Sequence, residues 1–266
     1  MGDELRLTVL GARGSVPISG QQYDIFGGAT SSYLIEAGEH AIFLDAGNGI
    51  INSPPVDEDK KITILMSHTH LDHIIGLPFF PELSKKDRYI DFYGADIEGH
   101  SIAKLIEEAF SEPYWPLTIG AYPSNFHYRQ LKLPMTLGSD IEITGVKLRH
   151  PGGCTGFGIS YKGKRIVYLT DYEMLDEPDE EVVEFSKDAD LLLCDAQYLD
   201  DEFASKKGFG HSTISKALSL FEMTGAGQML LVHHDPKRSD EELMKLEKTI
   251  ELPNVRFARQ GESVVL

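Results

Sequence analysis

Apolar and polar positions alternate over residues 5–10, Leu5-Arg6-Leu7-Thr8-Val9-Leu10, and the run stops at Gly11. A period of two sends successive side chains to opposite faces, so this stretch predicts a strand. A Gly/Pro/Ser-containing loop is expected over 11–28, then a hairpin of strands 31–37 and 41–44 turning at Gly38-Glu39. Residues 62–66 are nearly uniformly apolar, as in a strand covered on both faces. A strand at 89–93 and a helix over 101–110 with Ser101 as N-cap follow. Residues 111–128 break the regularity with Glu112-Pro113-Tyr114-Trp115-Pro116-Leu117 and then Tyr122, Phe126 and Tyr128. That segment reads either as a loop covering the core or as a pocket wall, where Tyr114, Trp115 and Tyr122 could stack on a base.

The second half repeats the scheme. Strands are predicted at 141–148, 157–161, 165–169, 191–194 and 229–232, with short ones at 255–257 and 263–266. Helices are predicted over 180–187, 212–224 and 240–249, the second from Ile214, Ala217, Leu218 and Phe221 at helical spacing. No low-complexity linker separates the halves, so residues 1–266 read as one domain. Two β-rich halves with helices suggest an α/β (α+β) class in which two sheets pack together and helices lie outside.

Composition narrows the function. Lys plus Arg total 25 and Asp plus Glu 42, a formal charge of −17. Such acidity opposes an extended nucleic-acid partner, which needs arrayed cations. Two cysteines, Cys154 and Cys194, are too few for a disulfide framework and are expected to stay reduced. The acidic start, Met1-Gly2-Asp3-Glu4-Leu5-Arg6, lacks the basic and apolar regions of a signal peptide, and no apolar run reaches membrane-spanning length. A cytoplasmic protein without a membrane partner is the expectation.

Candidate chemistry concentrates at the end of the apolar strand, in His68-Thr69-His70-Leu71-Asp72-His73. Three of the ten histidines and a carboxylate share one turn there. His68 and His70 point to one side of an extended segment, and Asp72 and His73 follow after the chain turns. This density of nitrogen and oxygen donors suits two adjacent divalent metals.

That stretch resembles the HxHxDH signature of the metallo-β-lactamase superfamily, and the resemblance covers essentially the whole chain. It implies an αββα sandwich of two mixed sheets packed face to face, with a dinuclear metal site at one edge. Asp195-Ala196-Gln197 with Gly210-His211-Ser212-Thr213 is similar to paired loops of the ribonuclease Z and cyclic phosphodiesterase branch. Gly11-Ala12-Arg13-Gly14-Ser15 and Gly27-Gly28-Ala29-Thr30-Ser31-Ser32 look like that branch's amino-terminal region. By this resemblance His68, His70 and His150 serve a first metal, Asp72 and His73 a second, and Asp171 bridges them. The last ligand is His233, or His234 if the strand slips by one residue. Asp45 is expected to brace a metal-binding histidine through its free ring N–H.

Such a site suits zinc first, with manganese or iron as alternatives. A pair of metals about 3.5–4 Å apart shares a hydroxide that attacks phosphorus, with Asp72 orienting it. His211 is the candidate general acid, held by Asp195, and Ser212 and Thr213 at a helix N-terminus are candidates to receive phosphate. Arg13 is a further candidate for reaching a phosphate. Bacterial ribonuclease Z carries a long basic arm for transfer RNA that nothing here matches. A small phosphodiester, such as a cyclic nucleotide or cyclic sugar phosphate, is therefore expected. The alternatives are hydrolysis of a carboxylic ester, lactone or thioester, or a di-iron oxygen-binding sensor of the same fold. Sensor members usually have Glu at the position of His70. The resemblance also points to a homodimer, and the apolar stretch 74–80 could line its interface or the mouth of the site.

Overall fold

The alternating opening segment forms β1 (Leu5–Gly11) in a computed structural model that describes residues 4–266. Met1 to Asp3 of the acidic start lie outside the described residues. The expected hairpin is β2 (Ser32–Ala37) and β3 (His40–Leu44), followed by β4 (Lys61–Leu65), β5 (Tyr89–Gly94) and β6 (Asn125–Gln130). The second sheet comprises β7 (Met135–Leu137), β8 (Ile141–Leu148), β9 (Cys154–Tyr161), β10 (Lys164–Leu169), β11 (Leu191–Asp195), β12 (Met229–Val232) and β13 (Val255–Phe257). The last strand, β14 (Ser263–Val265), returns to pair with β1, so each sheet has seven strands.

The two sheets are built alike. In the first, β1, β2 and β3 pair antiparallel, and β3 to β6 run parallel. In the second, β7 to β10 are antiparallel, and β10 to β13 run parallel. Parallel neighbours need crossovers, and these carry α1 (Leu71–Ile74), α2 (Ile102–Ala109), α3 (Glu180–Ser186), α4 (Asp200–Lys206), α5 (Ile214–Thr224) and α6 (Asp240–Glu247).

Three apolar layers result. Leu7, Val9, Ile35 and Leu65 meet Phe157, Ile159, Leu193 and Val232 between the sheets. Phe43, Ile62, Ile64 and Phe92 pack outward against Ile74, Ile102 and Ile106. Val167, Leu192 and Leu231 pack outward against Val182, Ala217 and Leu220. The apolar run at β4 is thereby explained, since Ile62 and Ile64 face the helices while Leu65 faces the other sheet.

The 111–128 segment divides. Trp115 packs edge-on against Phe79 and Phe110, and Tyr122, Phe126 and Tyr128 lie against the same outer core. Their role is covering, while Tyr114 projects at 84% exposure. Strand β6 emerges inside that segment because Phe126 and Tyr128 sit two apart on one face of an edge strand. Cys154 and Cys194 are both buried free thiols, on neither side of a disulfide.

Candidate metal centre

The imidazole cluster forms where strands end. His68 follows β4, His150 follows β8, Asp171 follows β10 and His233 follows β12. Asp45 follows β3 and Asp195 is the last residue of β11. Asp45, Asp171 and His233 have φ of 59°, 49° and 60°, the left-handed region that non-glycine residues seldom enter. Each such residue costs on the order of 1–3 kcal/mol, and here three of them turn side chains onto one rim.

Two groups of donors meet at Asp171. His68, His70, His150 and Asp171 form one, with Asp171 Oδ2 lying 3.6 Å from His68 Nε2 and 3.5 Å from His150 Nε2. Asp72, His73 and His233 form the other, with Asp171 Oδ1 lying 3.1 Å from His73 Nε2 and 3.4 Å from His233 Nε2. Asp72 Oδ2 is 3.4 Å from His73 Nε2 and 3.2 Å from His233 Nε2. One carboxylate thus presents an oxygen to each group.

His70 turns Nδ1 inward, 3.0 Å from His150 Nε2, and the outward nitrogens of the other four rings are held. His73 Nδ1 donates to Asp45 Oδ2 at 2.7 Å, His150 Nδ1 to the Gly210 carbonyl at 2.9 Å, and His233 Nδ1 to Gln197 Oε1 at 3.2 Å. His68 Nδ1 donates to Ser67 Oγ at 3.0 Å, and that hydroxyl in turn donates to Asp45. These bonds put a proton on Nδ1 and turn Nε2 into the cluster, where His233 Nε2 meets Asp72 Oδ2 at 3.2 Å. The Nε2 atoms of His68 and His73 are buried without any hydrogen-bond partner, an arrangement that costs free energy unless something else occupies them. Inward-facing imidazole nitrogens beside carboxylates, with no thiol among them, fit a divalent cation.

The electrostatics agree. Burial pushes the Asp72 carboxyl up, but His73 and His233 outweigh it and hold it well below the usual range. Asp171 is likewise depressed, against burial, by His233, His73 and His68. His73 is raised well above an ordinary imidazole, with Asp171, Asp72 and Asp45 outweighing burial, and His233 is raised to about 9, with Asp171 foremost in overcoming burial. Burial drives His150 down to about 4 and His68 well below its ordinary value. The metal-free cluster is a carboxylate–imidazolium lattice.

His211 lies beside this lattice. Its Nδ1 donates to Asp195 Oδ2 at 2.7 Å, and its ring stacks on His233 with centroids 4.6 Å apart. The structure brings His233 rather than His234 to the cluster. His234 is buried on the other side of the chain, with Nε2 donating to the Ala258 carbonyl and the ring against Phe26 and Phe257.

Three expectations are corrected. Arg13 is wholly buried and spends its guanidinium on the carbonyls of Gly27, Asp235 and Arg238, so it reaches no phosphate. Ser212 is also wholly buried: its backbone N–H goes to Asp195 Oδ1, and its hydroxyl bonds the Tyr172 carbonyl. Thr213 caps α5 by accepting from Lys216 N. Both serve the loop that carries His211, and both side chains are wholly buried.

Several participants went unread in the sequence. Ser15 N donates to Asp72 Oδ2 at 2.8 Å, and Gln197 Nε2 donates to Ser15 Oγ at 3.0 Å, which links His233 to Asp72 through two side chains. Tyr168 donates its hydroxyl to Asp45 at 2.8 Å. Gln197 stands two residues after Asp195 and Ser15 ends the Gly11–Ser15 motif, so adjacency was a signal for both; Tyr168 had none. Gly14 is required by closeness alone, since a Cβ there would lie 2.4 Å from His233 Nδ1. A cavity of about 460 Å³ adjoins His68 and Thr69, lined also by Ile97, Leu133, Gly153 and Cys154.

Known proteins resemble this chain over most of its length. The chain is 28% identical to the probable metallo-hydrolase YhfI of Bacillus subtilis over 271 residues, spanning 97% of this chain and 98% of that one. It is 36% identical to ribonuclease Z of Pyrococcus furiosus over 260 residues, spanning 79% and 82%. The crystal structure of YhfI superposes with a TM-score of 0.73 at 24% identity, covering 100% of both chains. A diphosphatase from the PhnP family superposes with a TM-score of 0.70 at 18% identity, covering 99% and 97%. The model of the beta-lactamase superfamily domain matches residues 40–234, a span that runs from the start of β3 to just beyond His233, and this chain therefore belongs to that superfamily as a metal-dependent hydrolase.

Proposed function

We propose that this hydrolase is a phosphodiesterase with a dinuclear centre, acting on a small phosphodiester such as a cyclic nucleotide or cyclic sugar phosphate. The observation that carries the reading is the His211–Asp195 pair, 2.7 Å apart, beside a cluster whose own donors are already accounted for. In this reading His68, His70 and His150 hold one cation, Asp72, His73 and His233 a second, and Asp171 both. Zinc fits the donor set first, and manganese or iron also fit. Cations held there would supply a nucleophile near neutral pH and offset charge on the scissile group.

The chain's own groups do the rest. Asp195 accepts the His211 Nδ1 proton, which leaves Nε2 to deliver a proton to the departing oxygen. Ester and lactone cleavage also produces an oxygen leaving group, but the phosphodiesterase-like loop pair at 195–197 and 210–213 favours phosphorus. The PhnP-family diphosphatase is a structural neighbour with phosphorus chemistry in its name. A second reading, an RNA phosphodiester, is favoured by the relatives named ribonuclease Z and opposed by the charge of −17.

The test is turnover of bis(p-nitrophenyl) phosphate by protein loaded with zinc or manganese. A parallel screen of cyclic mono- and dinucleotides, cyclic ribose phosphate and transfer RNA precursor assigns the substrate class. Absence of turnover with every metal, together with an optical spectrum of oxygen-bound iron, would replace this reading with the sensor.

A further inference from the structure

His150 follows strand β8 and His211 lies in the loop after α4, yet the two must share one rim. The residue between them is Gly210, with φ of 93°, whose carbonyl accepts from His150 Nδ1 at 2.9 Å. A Cβ on Gly210 would lie 2.0 Å from that same nitrogen, so no other residue fits. The loop 208–210 is therefore the template for the His150 ring, and it directly precedes His211. Something must hold the template.

Glu173 does so. It is 4% exposed, two residues beyond Asp171, and none of the roles above uses it. Its two carboxylate oxygens each accept from Gly208 N at 2.9 Å, and Oε2 also accepts from Gly210 N at 2.8 Å. Its own backbone N–H donates to the Arg149 carbonyl at 2.9 Å, one residue before His150. On either side, the Ser212 hydroxyl bonds the Tyr172 carbonyl and accepts from Met174 N. Segment 172–174 is thus bonded both to the strand end bearing His150 and to the loop bearing His211. Glycines with positive φ at 208 and 210 make that loop intrinsically permissive, so its shape depends on what its N–H groups meet.

We propose that Glu173 is a positioning residue: its buried carboxylate grips the Gly208–Gly210 backbone, and through the Gly210 carbonyl it sets the ring orientation and tautomer of His150 and the placement of His211. The proposal rests on the reading of His150 as a ligand and His211 as the acid. It is geometric, so a neutral group of the same shape should serve.

Three variants test it. Glu173→Ala removes the acceptor, Glu173→Asp shortens it by one methylene, and Glu173→Gln keeps an oxygen that can accept from both N–H groups. In 15N-histidine-labelled protein, with and without zinc, the wild type should show a protonated His150 Nδ1 protected from solvent exchange. Glu173→Ala should lose that protection and show kcat on bis(p-nitrophenyl) phosphate lower by about tenfold to hundredfold, with KM within about twofold. Glu173→Gln should keep both properties and Glu173→Asp should fall between. If Glu173→Ala does not fold, the Gln and Asp pair decides. Protection and kcat unchanged in Glu173→Ala, or in Glu173→Asp where Ala fails, would overturn the proposal, as would equal losses in Gln and Ala. Wild-type protein that cleaves no phosphodiester would end the functional reading instead, while the His150 signal would still decide the role of Glu173.

Discussion

Asp45→Asn isolates the tautomer argument. Asp45 is fully buried and accepts four bonds: Ser67 N and Ser67 Oγ at 2.8 Å, Tyr168 hydroxyl at 2.8 Å and His73 Nδ1 at 2.7 Å. Asparagine keeps the shape and the acceptor for Ser67 N, but puts an NH2 where Oδ2 stood. The two hydroxyls can rotate to accept from it, whereas a protonated His73 Nδ1 cannot. The ring can escape only by moving its proton to Nε2, the atom that would hold the cation. Loss of a hydrogen bond to a charged group should cost the metal-free fold about 1.5–3 kcal/mol. Loss of the supporting partner should weaken the cation of the Asp72–His73–His233 group by about 10–100-fold, or about 1.4–2.7 kcal/mol. Competition for zinc against a chromophoric chelator reads the two affinities, and thermal unfolding of the metal-free protein reads the fold. The expected result is one weakened site out of two in a folded protein. Wild-type affinity at both sites in folded Asp45→Asn would refute the reasoning.

His211→Ala should lower kcat by about 10²–10⁴-fold while zinc content stays at the wild-type stoichiometry, measured by steady-state kinetics and elemental analysis of one sample. Loss of metal in step with activity would make His211 structural. Gly210→Ala should lose both zinc and activity, because the added methyl collides with the His150 ring; a variant with full metal content would contradict the contact. Zinc binding to metal-free protein at pH 7.5 should release about two protons, since His73, raised well above an ordinary imidazole, and His233, raised to about 9, carry extra protons there. Calorimetry in buffers of differing ionisation enthalpy measures this, and zero release would oppose it. The sign also runs the other way: the raised His233 stabilises the metal-free fold fully below its ordinary value, and that contribution is lost as pH rises through about 9, with His73 acting in the same direction.

The framework and most of the cluster were legible because both are written in short patterns. The period of two in β1, the unbroken apolar run of β4 and the histidine density at 68–73 each need only neighbouring residues. His150, Asp171 and His233 were assigned by the family resemblance, which expects ligands at successive strand ends in that order. What escaped depended on approach between distant segments. Arg13 looked like an anion binder, yet its burial against the Asp235 and Arg238 carbonyls is decided 222 and 225 positions away. Ser212 and Thr213 looked like an open helix N-terminus, but the Ser212 hydroxyl is taken by the 172–174 segment and the Thr213 hydroxyl by the first turn of α5. Strand β6 was hidden by the prolines before it, and α4 by its lack of buried residues.

The donors are shared between the two layers. His68, His70, Asp72 and His73 ride on the first sheet, while His150, Asp171 and His233 ride on the second. A cation bound among them is a rivet through the seam of the sandwich. Its retention and the docking of the sheets are then one linked equilibrium, so a weakness opened deep in the apolar seam would surface as leaking metal at the rim.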